Sequence, residues 1–170
     1  MNDQLRKAVW ERKLLAMMAA RFYHHLRDRY ATEERQLSTA IVICGVLTSL
    51  AAGVALQVEW TRWVLMVLGG ANALLITLHR HRARSIEANE AARYATFFDD
   101  RAAEWGAIWS RHQAEDDGFT WERFELELQR DLRLPLARFA EDADLSAQVY
   151  NEVYAELGLK PPTRETRSMA

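Results

Sequence analysis

Cysteine occurs once in the 170 residues, as Cys44, which excludes an internal disulfide framework and a cysteine-based zinc site. Three prolines and seven glycines are too few for collagen-like or low-complexity structure. Lysine is scarce, three residues against nineteen arginines, and the formal net charge is only −2. A nucleic-acid binder acting through bulk positive charge is thereby excluded. Catalytic signatures are missing too. There is no GxxxxGK[ST] phosphate loop and no GxSxG elbow. Cys44 has no charged neighbour in sequence to activate its thiol. His24-His25 and His79/His81 invite a metal, but helical neighbours at i,i+1 or i,i+2 point to different faces and cannot share one ion. No catalytic, cofactor-binding or metal-ligating residue is expected, and the chain does not read as an enzyme.

The absence that says most is of charge. Residues 37–56 and 63–78 carry none, although charged residues make up 27% of the chain. LSTAIVICGVLTSLAAGVAL, residues 37–56, covers about 30 Å as a helix, the thickness of a bilayer's hydrocarbon core. Its hydroxyls, Ser38, Thr39, Thr48 and Ser49, can be satisfied by the helix's own carbonyls. WVLMVLGGANALLITL, residues 63–78, is shorter. Trp60, Trp63 and a snorkelling Arg62 extend it to a full span over 60–79. The residues between, Gln57 to Glu59 with Trp60 to Arg62, allow only a tight connection, so the two spans form an antiparallel hairpin. Arg21, Arg27, Arg29 and Arg35 precede the first span, and Arg80, Arg82, Arg84 and Arg93 follow the second. The loop has only Arg62, offset by Glu59. By the positive-inside rule both termini are cytoplasmic, in a multi-pass membrane protein.

Outside the spans the pattern is helical throughout. In residues 1–36, Leu5, Val9, Leu15, Met18, Phe22, Leu26 and Tyr30 recur along one face of a charged segment of net charge +3. Residues 79–114 are proline-free and rich in Ala, Glu and Arg. Tyr94, Phe97, Phe98, Trp105, Ile108 and Trp109 make an aromatic seam whose obvious partner is the N-terminal helix. Asp116-Asp117-Gly118 breaks this helix. Thr120 then caps a short helix over 121–132, ended by Pro135, and a last helix runs over about 145–157 before Gly158 and Pro161-Pro162. Residues 115–159 carry a local charge of −8 and form an acidic helical extension. The tail, residues 160–170, is expected to be disordered. The fold class is thus an all-α membrane protein: a two-span hairpin, long cytoplasmic helices and a small C-terminal helical extension.

The distinctive motif is one of packing. Ser38, Gly45, Ser49 and Ala52 share a narrow sector of the first span, and Gly45-x-x-x-Ser49-x-x-x-Gly53 is a ladder of small residues. Gly69, Asn72 and Ala73 group likewise in the second. Small residues let membrane helices approach closely where hydrophobic force cannot drive association. The ladder therefore predicts close packing inside the hairpin, between hairpins, or both.

The sequence RFYHHLRDRYATEERQ, two spans joined by a few residues, and a continuing helix with Ala91, Tyr94 and Phe97 at three-residue spacing together resemble the SLATT family over about residues 10–114. These are two-span effectors of bacterial conflict, or anti-phage, systems, associated with nucleotide-signalling modules. The resemblance implies a homo-oligomer in the lipid bilayer that permeabilises the inner membrane on activation, signalled by a cytoplasmic protein partner or a nucleotide-signalling system. Pore-lining or helix-packing positions are then Ser38, Gly45, Ser49, Gly53, Gly69, Asn72 and Ala73, with Arg35, Arg80, Arg82 and Arg84 as the juxtamembrane basic set. The competing expectation is a non-conducting membrane-anchored scaffold or immunity protein that binds a cytoplasmic partner through its acidic C-terminal region.

Overall fold

The computed structural model describes residues 3–55, 60–82, 84–113, 119–131 and 142–160. All regular structure among them is helical. The helices are α1 (Asp3–Ala55), α2 (Trp60–Arg82), α3 (Arg84–Gln113), α4 (Trp121–Asp131) and α5 (Ala143–Glu156). The sequence pattern separates residues 4–35 from the first span, whereas the structure makes them one 53-residue helix. No proline interrupts that run, and Asp3 in the first turn favours the helix N-terminus. Thr32, Thr39, Thr48 and Ser49 each donate to the carbonyl four residues back, so their hydroxyls need no other partner.

The chain divides into two units: Met1–His25 with Ala92–Ala170, and Leu26–Ala91. The first has a conventional core. Leu5, Val9, Ala16, Trp105 and Phe124 are buried together, with Ile108, Trp109 and Leu128 packed around them. Trp105 is wholly buried. The aromatic seam of α3 does meet the N-terminal helix: Tyr23 stacks on Phe98 at 5.7 Å and lies 5.1 Å from Tyr94, and Trp10 meets Trp109 at 5.1 Å. Alanines make this approach possible. Ala16, Ala19 and Ala20 on α1 and Ala95 on α3 are buried, and larger side chains would hold the helices apart.

Thr120 caps α4, its hydroxyl accepting from the Arg123 amide at 3.4 Å. Asp142 caps α5 by accepting from the Leu145 amide at 3.1 Å. Gly158, at φ 66°, takes the left-handed conformation that ends α5, where a side chain would be strained. Both short helices lie within about two residues of their expected bounds. The expected break at Asp116-Asp117-Gly118, the Pro135 stop, Pro161-Pro162 and most of the tail lie outside the described residues.

Candidate functional site

The second unit is the candidate site. It holds the rest of α1 together with α2, and each of these helices contains a segment long and apolar enough to cross a membrane. Neither segment is buried within the chain. From residue 27 to residue 90 no described side chain is buried. Val42, Ile43, Leu50, Trp60, Trp63, Met66, Val67 and Leu74 are each more than half exposed. A monomeric soluble protein rarely exposes a contiguous apolar surface of this kind.

The two helices of this unit meet along a narrow seam. The half-buried positions include Leu37, Ile41, Cys44, Thr48 and Ala51 on α1, and Leu65, Leu68, Asn72, Leu75 and His79 on α2. Their spacing alternates between three and four residues, the heptad rhythm of paired helices. At one end His79 Nε2 lies 3.3 Å from Glu34 Oε1. Two polar atoms in the seam are buried without a partner among the described residues: Asn72 Oδ1 and His79 Nδ1. Each is a costly arrangement in an apolar setting.

The small-residue ladder lies beside this seam. Ser38, Ser49 and Ala73 are exposed, Gly45 and Gly69 half-buried. A Cβ built at Gly45, Gly69 or Gly70 would meet no atom within 4 Å. Within the chain, therefore, Gly45, Gly69 and Gly70 are not points where another helix approaches closely. Of the positions singled out in the sequence, Asn72 enters the seam while the Ser38/Ser49 edge faces outward. Arg35 is exposed. Gly53, Arg80, Arg82 and Arg84 fall outside the described side chains.

The first unit carries polar clusters that sequence spacing did not indicate. Arg101 is 5% exposed. It donates to Asp131 at 2.7 Å, to the Glu127 carboxylate at 2.9 Å and carbonyl at 3.0 Å, and to Glu104. Burial by itself would lower its pKa, but hydrogen bonds to Asp131 and Glu127 outweigh that and raise it. Trp105 Nε1 donates to the second Asp131 oxygen at 3.2 Å. One guanidinium thus fastens α4 to α3.

A second cluster surrounds α1. Arg21 donates to Glu156 at 2.8 Å, His25 Nε2 lies 2.8 Å from Glu152, and His24 Nε2 lies 2.8 Å from Asp99. The adjacent histidines point to different faces, as helical geometry requires, and so reach different helices. Hydrogen bonds with His25 and Gln148 hold the Glu152 carboxyl below the usual carboxylate range. A groove of about 520 Å³ lies beside these pairs, with Lys13 and Met17 on one wall and Ala102, Ala103 and Gly106 on another. Among the described residues, no three His, Cys, Asp or Glu side chains are placed to hold a metal ion.

No family model matches this chain, and no curated protein or solved structure is significantly similar to it. The functional reading therefore rests on the sequence and on the structure of each unit by itself.

Proposed function

We propose that this chain is a two-span membrane protein that self-associates through its hairpin and permeabilises the bacterial inner membrane on activation, with both termini in the cytoplasm. The observation that carries the reading is the coreless second unit. Each exposed Leu, Ile, Met or Trp on it gains about 1.5–3 kcal/mol on leaving water. Eight or more such side chains, each about half to two-thirds exposed, therefore favour a lipid setting by about six kcal/mol or more. The seam buries little, so lipid and neighbouring hairpins are the natural cover for the rest.

Two features favour assembly over simple anchoring. Open space at Gly45 and Gly69 lets a second helix approach closely. Asn72, with its Oδ1 unpartnered in the seam, is an expensive residue for a passive anchor to keep in lipid. Four of the twelve carboxylates that the acidic-scaffold alternative would offer are engaged within the chain. Glu127, Asp131, Glu152 and Glu156 are held by Arg101, His25 and Arg21 of the same chain.

The test is dye release from vesicles carrying the full chain, beside membrane-potential measurement in expressing bacteria. Permeabilisation is expected, and Gly45→Leu and Asn72→Leu are expected to reduce it at least tenfold. If the protein accumulates in membranes with no leakage, or if both variants leak like the parent, the pore reading fails and the anchor reading takes its place.

A further inference from the structure

Asn72 is the only amide side chain of α2, and its Oδ1 is buried without a partner among the described residues. The register of the seam explains why. His79 meets Glu34 across it at 3.3 Å. The two helices run antiparallel with equal rise, so Asn72, about two turns before His79, comes level with Ile41 of α1. The α1 seam positions around that level are Leu37, Ile41 and Cys44. Two carry no polar side-chain atom, and the third has only a thiol, a weak donor. Other hydroxyls of the α1 span are committed: Thr39, Thr48 and Ser49 each donate to the carbonyl four residues back. Native structures seldom keep a polar atom shut away from every partner, and one that is kept can act as a reservoir of strain.

The seam that encloses this carbonyl is shallow. Its described side chains are half-buried at most, and the space beside Gly45 and Gly69 is open. Few buried contacts mark the parts of a protein that open first. Inside a bilayer the cost of opening is smaller still, because lipid tails are as apolar as the leucines they would replace. Van der Waals contact thus favours the closed seam, and the orphaned carbonyl counts against it. The same enclosure bears on assembly. An atom shut in by its own chain reaches neither water nor a neighbouring hairpin, so Asn72 cannot contribute to a conducting assembly while the seam stays closed.

We propose that the closed seam is the resting form of the hairpin, and that permeabilisation requires it to open, turning α2 until the Asn72 amide faces the water-lined interior of the assembly. The inference rests on the pore reading above and adds to it the internal movement. Asn72 is orphaned at rest and hydrated in the conducting form, so the residue itself biases the hairpin toward opening. Asn72→Leu then acts by completing an apolar seam and holding it shut.

A reversible bridge across the seam tests it. Leu68 is a half-buried seam position on α2, and the register places it close to the level of Cys44. In vesicles carrying the full chain with Leu68→Cys, a short bifunctional thiosulfonate should join the two thiols within one chain, which then runs as a monomer on a denaturing gel. Dye release should fall about tenfold and return on reduction, as when a covalent tie holds one side of a two-state equilibrium. Leu37→Cys with Leu75→Cys, in a Cys44→Ala background, bridges a neighbouring level and carries the readout if Leu68→Cys does not insert. A bridged hairpin that leaks like its reduced form overturns the inference and leaves the pore reading intact. Failure of both pairs to bridge overturns it too, because the seam is then not closed at rest. A chain that leaks in no form removes the pore reading, and this inference with it.

Discussion

Arg101 shows how much one side chain decides. A guanidinium 5% exposed is tolerable only because Asp131, Glu127 and Glu104 surround it. Removing it would leave Asp131 and Glu127, 17% and 26% exposed, without that cation. Arg101→Met should therefore cost about 3 kcal/mol, measured by denaturant unfolding of the first unit. The double change with Asp131→Leu should recover part of it, because two apolar groups replace a broken pair. Nothing in the spacing of Arg101 marks it in the sequence. It lies in a segment dense with charges that read as a solvated face, and its partners come from a helix some thirty residues further on.

At the scale of elements, α5 is a short helix with a small apolar face. Its Val149 and Val153 lie on one face and bury completely. Truncating either to alanine removes two methyls, about 1.6 kcal/mol at about 0.8 per carbon, and should expose α5 to limited proteolysis before the rest of the unit. Glu152 adds an acid-side dependence. Its folded pKa lies below the ordinary glutamate value, so its contribution is present above about pH 4.3 and lost as pH falls through the folded value. Glu152→Gln should make the thermal melt less sensitive to pH below about 4.3 and lower the Tm near neutrality, where the carboxylate's contribution is present. The helices themselves were largely legible: the cap at Thr120 and the glycine after α5 are local chemistry, readable from neighbours in the chain, whereas the Asp142 cap, which starts α5 at Ala143 and not at about Leu145, is seen only in the structure. The joining of residues 4–35 to the first span was less so. A change in polarity looks like a boundary, but backbone hydrogen bonds continue through it wherever no proline or glycine intervenes.

For the whole molecule, the contrast between the two units is the main result. One buries Trp105, Phe22 and Tyr23; the other buries no described side chain over residues 27–90. The membrane reading predicts that detergent, but not high salt or carbonate, extracts the protein. A cysteine-reactive probe at a site engineered after Arg62 should label only from outside the inner membrane, while a probe at either terminus labels only from inside. Labelling of the loop site from the cytoplasm would refute the topology.

Composition and periodicity were enough for the helices, the two uncharged stretches and the aromatic face of α3, because each depends on residues close together in the chain. The partners of those faces were not available in that way. That buried alanines let α1 and α3 approach, that the small-residue ladder lies beside the hairpin seam, and that His24 and His25 reach two different helices all depend on rotation about helix axes and on distant pairings. Those are set when the helices pack, by shape and charge across gaps that no local pattern encodes.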